Sequence, residues 1–535
     1  MKKRLIHILI PVLLLSSVFM MSSCEKWLDE TVSEPLITTE GYLKSVLDLE
    51  RLLNGSYAIL LGHNGEGLAS APFLIATLNS DLVAPYPPEK DKISQEVMHM
   101  YNRQNALTGE GSPAHNMIKY AYRAINNANI VIDALENGSL ENDPDFLFFQ
   151  ERMRGEAYLM RALAMFEVTK LVGKQYNEAT SSSDLAGYYP RRPINDRADF
   201  PNERVTVAQA YELMIEDAQQ AITLLPVRFD LAYTQWNDGG FGYPSMYYSN
   251  TRRFNSDIAH AFLAKVYFQM NDFANALQAC NVLLGDTPGS STKYPLSGLQ
   301  NLISAVLGGS QKLPSGPFLE EIDGDPSLAG PAQEIIADFY GRTARYGPNL
   351  NRNSWAYYFT PAYGEDQGNS NLGEQGLGWF SMLPGFEEYL DWDWNDFRLF
   401  FFADEMEDDD WELWYWPIKF ARNNLNVLWY RSADFFLIRA ESNARLGNRA
   451  DAIADLNAVR ARARLGGYEG SQDDTGNLPS DIVRERAREM FLENNRYWDL
   501  LRIGALTGNP LPAGNRDTST PWDDPGLLFP MPELF

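Results

Sequence analysis

Two stretches of this chain, 261–284 and 437–460, repeat one pattern, and that repetition limits the possible fold more than any other feature. In the first, Ala264, Tyr267, Asn271-Asp272, Ala276, Cys280 and Leu283 fall at the offsets of a tetratricopeptide repeat. In the second, Ala440, Asn443, Gly447-Asn448, Ala452, Leu456 and Val459 fall at the same offsets. Small residues at these positions let two antiparallel helices approach closely, and Asn or Gly supplies the turn that reverses the chain. Insertions separate the repeats, so the pattern points to a decorated helical scaffold and not to a regular solenoid. Residues 155–172 read as the first helix of another pair, with 206–225 as its partner. Cys280 shares an apolar helical face with Ala276, Leu277, Leu283 and Leu284, which reads as core and not as a nucleophile.

Apolar spacing of the helical kind predicts helices over 40–61, 114–137, 149–172, 206–225, 256–270, 272–285, 430–447, 449–465, 480–494 and 496–505. Between them lie long stretches without that period, at 62–113, 174–205, 226–255 and 286–429, rich in Gly, Pro, Asn, Tyr and Trp. Insertions of this length inside a folded chain are typically functional, or hide elements that periodicity misses. One such element is expected at 411–431, where Trp411, Leu413, Tyr415, Pro417-Ile418 and Leu428-Trp429-Tyr430 alternate as in a β-hairpin. The expected architecture is mostly α: tetratricopeptide-like helix pairs as a scaffold, with long loop-rich insertions and a small β-hairpin.

The N-terminus reads as an export signal. Lys2, Lys3 and Arg4 precede an apolar run from Leu5 to Met21, which ends in Ser22-Ser23-Cys24. The run is short for a membrane span and carries His7 and Pro11. A cysteine at the boundary resembles a bacterial lipoprotein signal, with residues 1–23 removed and Cys24 acylated. Met21 stands where that motif usually has Leu. The leader holds three basic residues, so its removal moves the formal net charge from −26 to −29. A surface so acidic argues against nucleic acid as a partner, because phosphates attract Lys and Arg.

The C-terminal third contains LIRAESNARLG (437–447), AIADLNAVRARARL (452–465), IVRERAREMFLENNRYWDLLRIG (482–504) and the terminal FPMPE (529–533). With the lipoprotein-type signal, Leu28-Asp29, RGEAYLMRALAMFEVTKLVG (154–173) and DIAHAFLAKVYFQMNDFANAL (257–277), these strings resemble the SusD/RagB family. The resemblance spans the mature chain, is strongest over 430–505, and has no counterpart in the long insertions. It implies a surface-exposed outer-membrane lipoprotein, anchored in the membrane by lipid, that captures a nutrient, most often a glycan. It also implies a TonB-dependent outer-membrane transporter as partner, over which such a protein acts as a hinged lid. On this reading 24–230 is an N-terminal part and 231–535 a C-terminal part, packed as one globular unit.

The residues themselves offer little catalysis. There are five histidines and no H-E-x-x-H, C-x-x-C, G-x-S-x-G or phosphate-binding loop, and no motif calls for a cofactor. Gly65-Glu66-Gly67 near His63 reads as a flexible loop, since no strand precedes it. The acidic runs Glu407 to Asp410 and Glu141 to Asp145 lack the ligand-per-alternate-residue pattern of a calcium loop and read as solvated. The 71 acidic residues include many pairs, none of them singled out for glycoside hydrolysis. Within 484–502, spacings of three and four place Glu485 near Arg488, Glu489 near Arg486, and Asp499 near Arg496 and Arg502. This pattern reads as ion pairing that locks helices together, with Phe491, Tyr497, Trp498 and Leu501 as core, rather than as an anion site.

Aromatic side chains make up 13% of the chain, and many lie where no helical stripe explains them. Sugar rings stack their C–H faces on flat aromatic rings, while amides and carboxylates bond the hydroxyls. Loops 81–105 and 351–380 supply that mixture in Asp81, Tyr86, Tyr101, Asn102, Trp355, Tyr357, Tyr358 and Trp379, the expected ligand contacts. Two alternatives stay open from sequence: a lipid-anchored glycoside hydrolase, and a tetratricopeptide scaffold that binds only protein.

Overall fold

Asn271 and Gly447, the turn residues of the two repeats, both adopt positive φ, 61° and 87°. Each begins the same reversal in the computed structural model: the next amide bonds back to the preceding helix, Asp272 N to Tyr267 O at 2.9 Å and Asn448 N to Asn443 O at 2.8 Å. The left-handed residue after a helix satisfies its orphan carbonyls, which is why Asn and Gly stand there. The structure describes residues 43–61, 67–68, 71–227, 253–298, 334–339, 380–393, 395–396, 398–399, 404–407, 413–416 and 427–534.

The main helices are α1 (Val46–Leu61), α2 (Ala71–Asn79), α3 (Gln95–Tyr101), α4 (Pro113–Glu136), α5 (Phe146–Val172), α6 (Val207–Leu224), α7 (Ser256–Gln269), α8 (Phe273–Leu284), α9 (Phe386–Tyr389), α10 (Ser432–Arg445), α11 (Arg449–Arg462), α12 (Leu478–Glu489) and α13 (Arg496–Thr507). They stack in chain order: α4 on α5, α5 on α6, α6 on α7, α7 on α8, α8 on α10, and α10 on α11 and α12. The predicted pairs are therefore present, including 155–172 with its partner at 207–224. Ala264, Ala276, Cys280, Ala440, Ala452 and Leu456 are buried at the contacts, as the spacing requires. Burial pushes the Cys280 thiol well above its ordinary pKa, consistent with a packing role.

Two helices were hidden in the stretch 62–113. In α2 every residue is buried, so no polar face marks a period. In α3 there are only seven residues, too few to show one. The hairpin expectation at 411–431 needs correction. Strand β5 (Leu413–Trp416) pairs antiparallel with β4 (Asp404–Glu407), upstream of the predicted hairpin. Strand β6 (Val427–Arg431) pairs instead with β2 (Ile335–Phe339) and runs directly into α10. Alternation marks a strand but does not name its partner, which long-range packing selected here. A third two-stranded sheet joins β1 (Val83–Pro85) to β3 (Phe380–Met382).

Buried charge ties the long insertion to the C-terminal helices. Arg431, at the end of β6, donates to Glu493 Oε2 at 2.7 Å and Glu334 Oε1 at 3.1 Å, and also pairs with Glu489. Arg398 pairs with Asp396, Glu485 and Glu489. Burial alone would push the Glu489 carboxyl up, but Arg462, Arg431 and Arg398 hold it far below the usual carboxylate range. The charged cluster is structural, as expected, although two of the predicted pairings are not made. Glu489 bonds these arginines and not Arg486, which reaches Asp434 and Asp499. Arg496 pairs not with Asp499 but with Asp81. Local spacing gave the neighbours within one helix, as for Glu485 with Arg488 and Asp499 with Arg502, but buried guanidiniums turned to carboxylates from other elements.

Candidate ligand-binding face

Sheet β1–β3 carries the geometry that matters for the two aromatic loops. Its register runs Val83 to Met382, Ala84 to Ser381 and Pro85 to Phe380. Tyr86 follows Pro85 directly, and Trp379 precedes Phe380 directly. Residues adjoining in a chain have Cα atoms about 3.8 Å apart. The ladder therefore sets Pro85 beside Phe380, the described end of the 351–380 segment, although nearly 300 residues separate them in the chain.

Beneath this ladder lies a frame of buried polar groups. Asp81 is fully buried, and its carboxylate accepts from Arg496 Nε at 2.8 Å, Arg496 Nη2 at 2.6 Å and the Tyr389 hydroxyl at 2.6 Å. Burial would raise the Asp81 carboxyl, but the Arg496 charge and the bonds it donates hold it below the usual range. The C-terminal segment closes over the same region. Arg103 Nη1 donates to Pro512 O at 2.8 Å, Arg516 Nη2 donates to Leu78 O at 2.7 Å, and Tyr101 donates to Asn515 O at 3.3 Å. The Arg516 guanidinium sits 4.4 Å from the Tyr101 ring centroid, whose other neighbour is Phe380 at 5.6 Å.

These positions sort the predicted contacts. Asp81 and Tyr101 are corrected: both are buried, and Asp81 has both oxygens taken, so they hold the face together from below instead of presenting groups to a ligand. Tyr86 is half-buried at the end of the ladder, and Asn102 is exposed after α3. Trp355, Tyr357, Tyr358 and Trp379 lie outside the described residues, as does Cys24. The sequence reading missed Tyr389, a residue that is 39% exposed while its hydroxyl is held by Asp81. Nothing in its local sequence marks it, because its partner is 308 residues away.

Of the acidic runs, Asp143 caps backbone amides, accepting from Val46 N, at the start of α1, at 3.0 Å and from Asp145 N at 2.9 Å. Asp408 to Asp410 lie outside the described residues. Among the described residues no three metal-ligating side chains converge, and no helix is long and apolar enough to cross a membrane.

Comparison with known proteins fits this architecture. The model of the SusD family matches residues 417–526, and a second, described as starch-binding and associating with the outer membrane, matches residues 26–238. SusD-like protein P2 of Formosa agariphila is 24% identical, with 92% of each chain covered. Among solved structures, a SusD superfamily protein from Bacteroides vulgatus superposes with a TM-score of 0.69 at 19% identity, covering 92% of this chain and 96% of that one. The surface glycan-binding protein A from Bacteroides uniformis superposes with a TM-score of 0.63 at 18% identity, covering 90% and 95%. Matched at both ends by models of SusD-type families and along its length by SusD-like relatives of the same fold, the chain is similar to the SusD/RagB family throughout, as its motifs suggested.

Proposed function

We propose that the protein is a surface-exposed outer-membrane lipoprotein, anchored through Cys24, that binds an oligo- or polysaccharide and delivers it to a TonB-dependent transporter. The observation that carries this reading is the β1–β3 ladder, which sets Pro85, the residue before Tyr86, beside Phe380, the residue after Trp379. On this proposal Tyr86, Asn102, Trp355, Tyr357, Tyr358 and Trp379 make the ligand contacts, with Tyr389 as an added stacking ring. Two properties of Tyr389 support that addition. Its hydroxyl is fixed, so little rotamer freedom is lost on binding, and the residue remains exposed. The family description of starch binding at the outer membrane supports the compartment and the ligand class.

The ligand is bound and not cleaved. Glycoside hydrolysis needs two carboxyls held about 5–10 Å apart around an open cleft. Among the described residues, the Asp81 carboxylate beside the ladder is buried and paired with Arg496, which does not suit it to a hydrolytic pair. A screen of the full-length protein against neutral polysaccharides by affinity electrophoresis should give a retarded band with no reducing sugar released. Release of reducing ends would replace this reading with a hydrolase. Crosslinking in gently solubilised membranes should recover a barrel transporter, and recovery of the chain alone would remove the delivery step.

A further inference from the structure

Helix α4 borders a cleft whose lining includes none of the proposed loop contacts. Its volume is about 390 Å³, and Lys119, Tyr122, Arg123, Asn126, Asn127, Ile194, Phe200, Glu533 and Leu534 line it. This is within the range of about 300–1,000 Å³ typical of small-molecule sites. Lys119, Arg123, Asn126 and Asn127 recur at helical spacing, so α4 presents them as one stripe.

The wall opposite is fixed. The Asn126 side chain donates to Ile194 O at 3.1 Å and accepts from Ile194 N at 2.7 Å, which pins the 190s segment across the mouth. The Phe200 ring is braced edge-on by Tyr122 at 5.9 Å and Tyr188 at 4.9 Å. Phe200 and Ile194 thus supply a rigid apolar surface, with Glu533 at the rim to accept hydroxyl groups.

The donors are less committed. Arg123 is exposed, lies 5.8 Å from the Tyr120 ring centroid, and has no carboxylate partner among the described residues. Among the described residues Lys119 pairs with Glu110, at 2.8 Å, and Glu110 is itself mostly exposed, so that pair competes weakly with a ligand. Of the two cations lining the cleft, Lys119 is paired with Glu110, which leaves Arg123 as the one without a carboxylate partner among the described residues, with Glu533 at the rim.

We propose that this cleft is a second binding site, separate from the aromatic loops, for an anionic saccharide. Arg123 holds the ligand's carboxylate or sulfate in its planar fork, Lys119 adds a second positive charge, and Asn127 bonds flanking hydroxyls. Phe200 receives a C–H face of the sugar. Guanidinium suits both oxyanions because each presents paired oxygens to parallel N–H donors. The site stands whether or not the loops bind neutral glycan.

The test is calorimetry on the detergent-solubilised full-length protein with three probes: tetragalacturonate, a sulfated carrageenan tetrasaccharide and neutral maltotetraose. At least one acidic probe should bind, and which of them does identifies carboxylate or sulfate as the ligand group. Raising sodium chloride from about 0.05 to 0.5 M should weaken that binding, since exposed charges are screened over a few ångström at the higher salt. Arg123→Ala should weaken it about tenfold, the usual loss for one charge-assisted hydrogen bond, and Arg123→Lys should recover part of that loss. Both variants sit on an exposed position and should melt with the wild type. Trp355→Ala should leave binding of the acidic probes unchanged. Absence of heat with both acidic probes, or an unaltered affinity in Arg123→Ala, would overturn the proposal. So would equal weakening of maltotetraose by Arg123→Ala, since the site would then not select charge. Loss of neutral binding alone would count against the loop site and leave this one standing.

Discussion

Arg496→Ala isolates the contact that holds α13 to the base of the ligand face. In the wild type, Asp81 is fully buried and takes two bonds from Arg496, at 2.8 and 2.6 Å, with a third from Tyr389. The variant leaves a buried carboxylate with the phenol as its remaining described side-chain donor. Breaking a buried pair from one side costs about 3–5 kcal/mol, because the stranded charge keeps its desolvation penalty. For a chain of 535 residues, about 2.1 cal/mol/K of unfolding entropy per residue gives roughly 1 kcal/mol per kelvin. The melting temperature should therefore fall by about 3–5 °C at pH 7 in differential scanning calorimetry. The pH dependence gives the mechanism. In the wild type the Asp81 carboxyl is depressed, so its contribution is complete above the ordinary carboxylate pKa and is lost as pH falls through the depressed value. Without Arg496, burial raises that carboxyl, so the deficit of the variant should grow as pH rises from about 4 towards 7. Adding Asp81→Asn to Arg496→Ala removes the stranded charge and should recover part of the loss at pH 7. A variant that melts with the wild type, or a deficit equal at pH 4.5 and pH 7 with no rescue by Asn, would refute the reasoning.

Two further outcomes follow from the same framework. Gly514 has φ of 62°, and a Cβ there would lie 2.9 Å from Asp81 O and 3.0 Å from Asp81 Cα; Gly514→Ala should cost about 2 kcal/mol or more, read as a lowered melting temperature with native secondary structure retained. Cys24→Ala should leave the protein unacylated and release it from membranes on fractionation, and native protein whose mass spectrum shows an unmodified Cys24 would remove the anchor from the account.

The helical scaffold was legible because its signals are local. Ala264, Asn271 and Ala276, and their counterparts Ala440, Gly447 and Ala452, state the approach and the turn within a single pair. Failures came where partners are distant or the period is absent. Helix α2 is buried on every side, so APFLIATLN shows no polar face. Strand β5 forms within the expected stretch, yet nothing in LWYW says that 404–407 lies beside it rather than 427–431. Asp81 has the chemistry of a hydroxyl acceptor, and its commitment to Arg496, 415 residues away, is a fact of packing. Tyr389 was invisible for the same reason.

The central claim is that glycan binds through the loops that adjoin the β1–β3 ladder in sequence. Its most direct test is titration calorimetry of Trp355→Ala, Trp379→Ala and the double variant with the polysaccharide that the wild type retards in affinity gels. Loss of a central stacking ring typically costs about 2 kcal/mol, roughly thirtyfold in affinity. The account predicts a loss of that size for at least one single variant and a larger one for the double, with melting temperatures unchanged. Wild-type affinity in the double variant would place the glycan site elsewhere and contradict it.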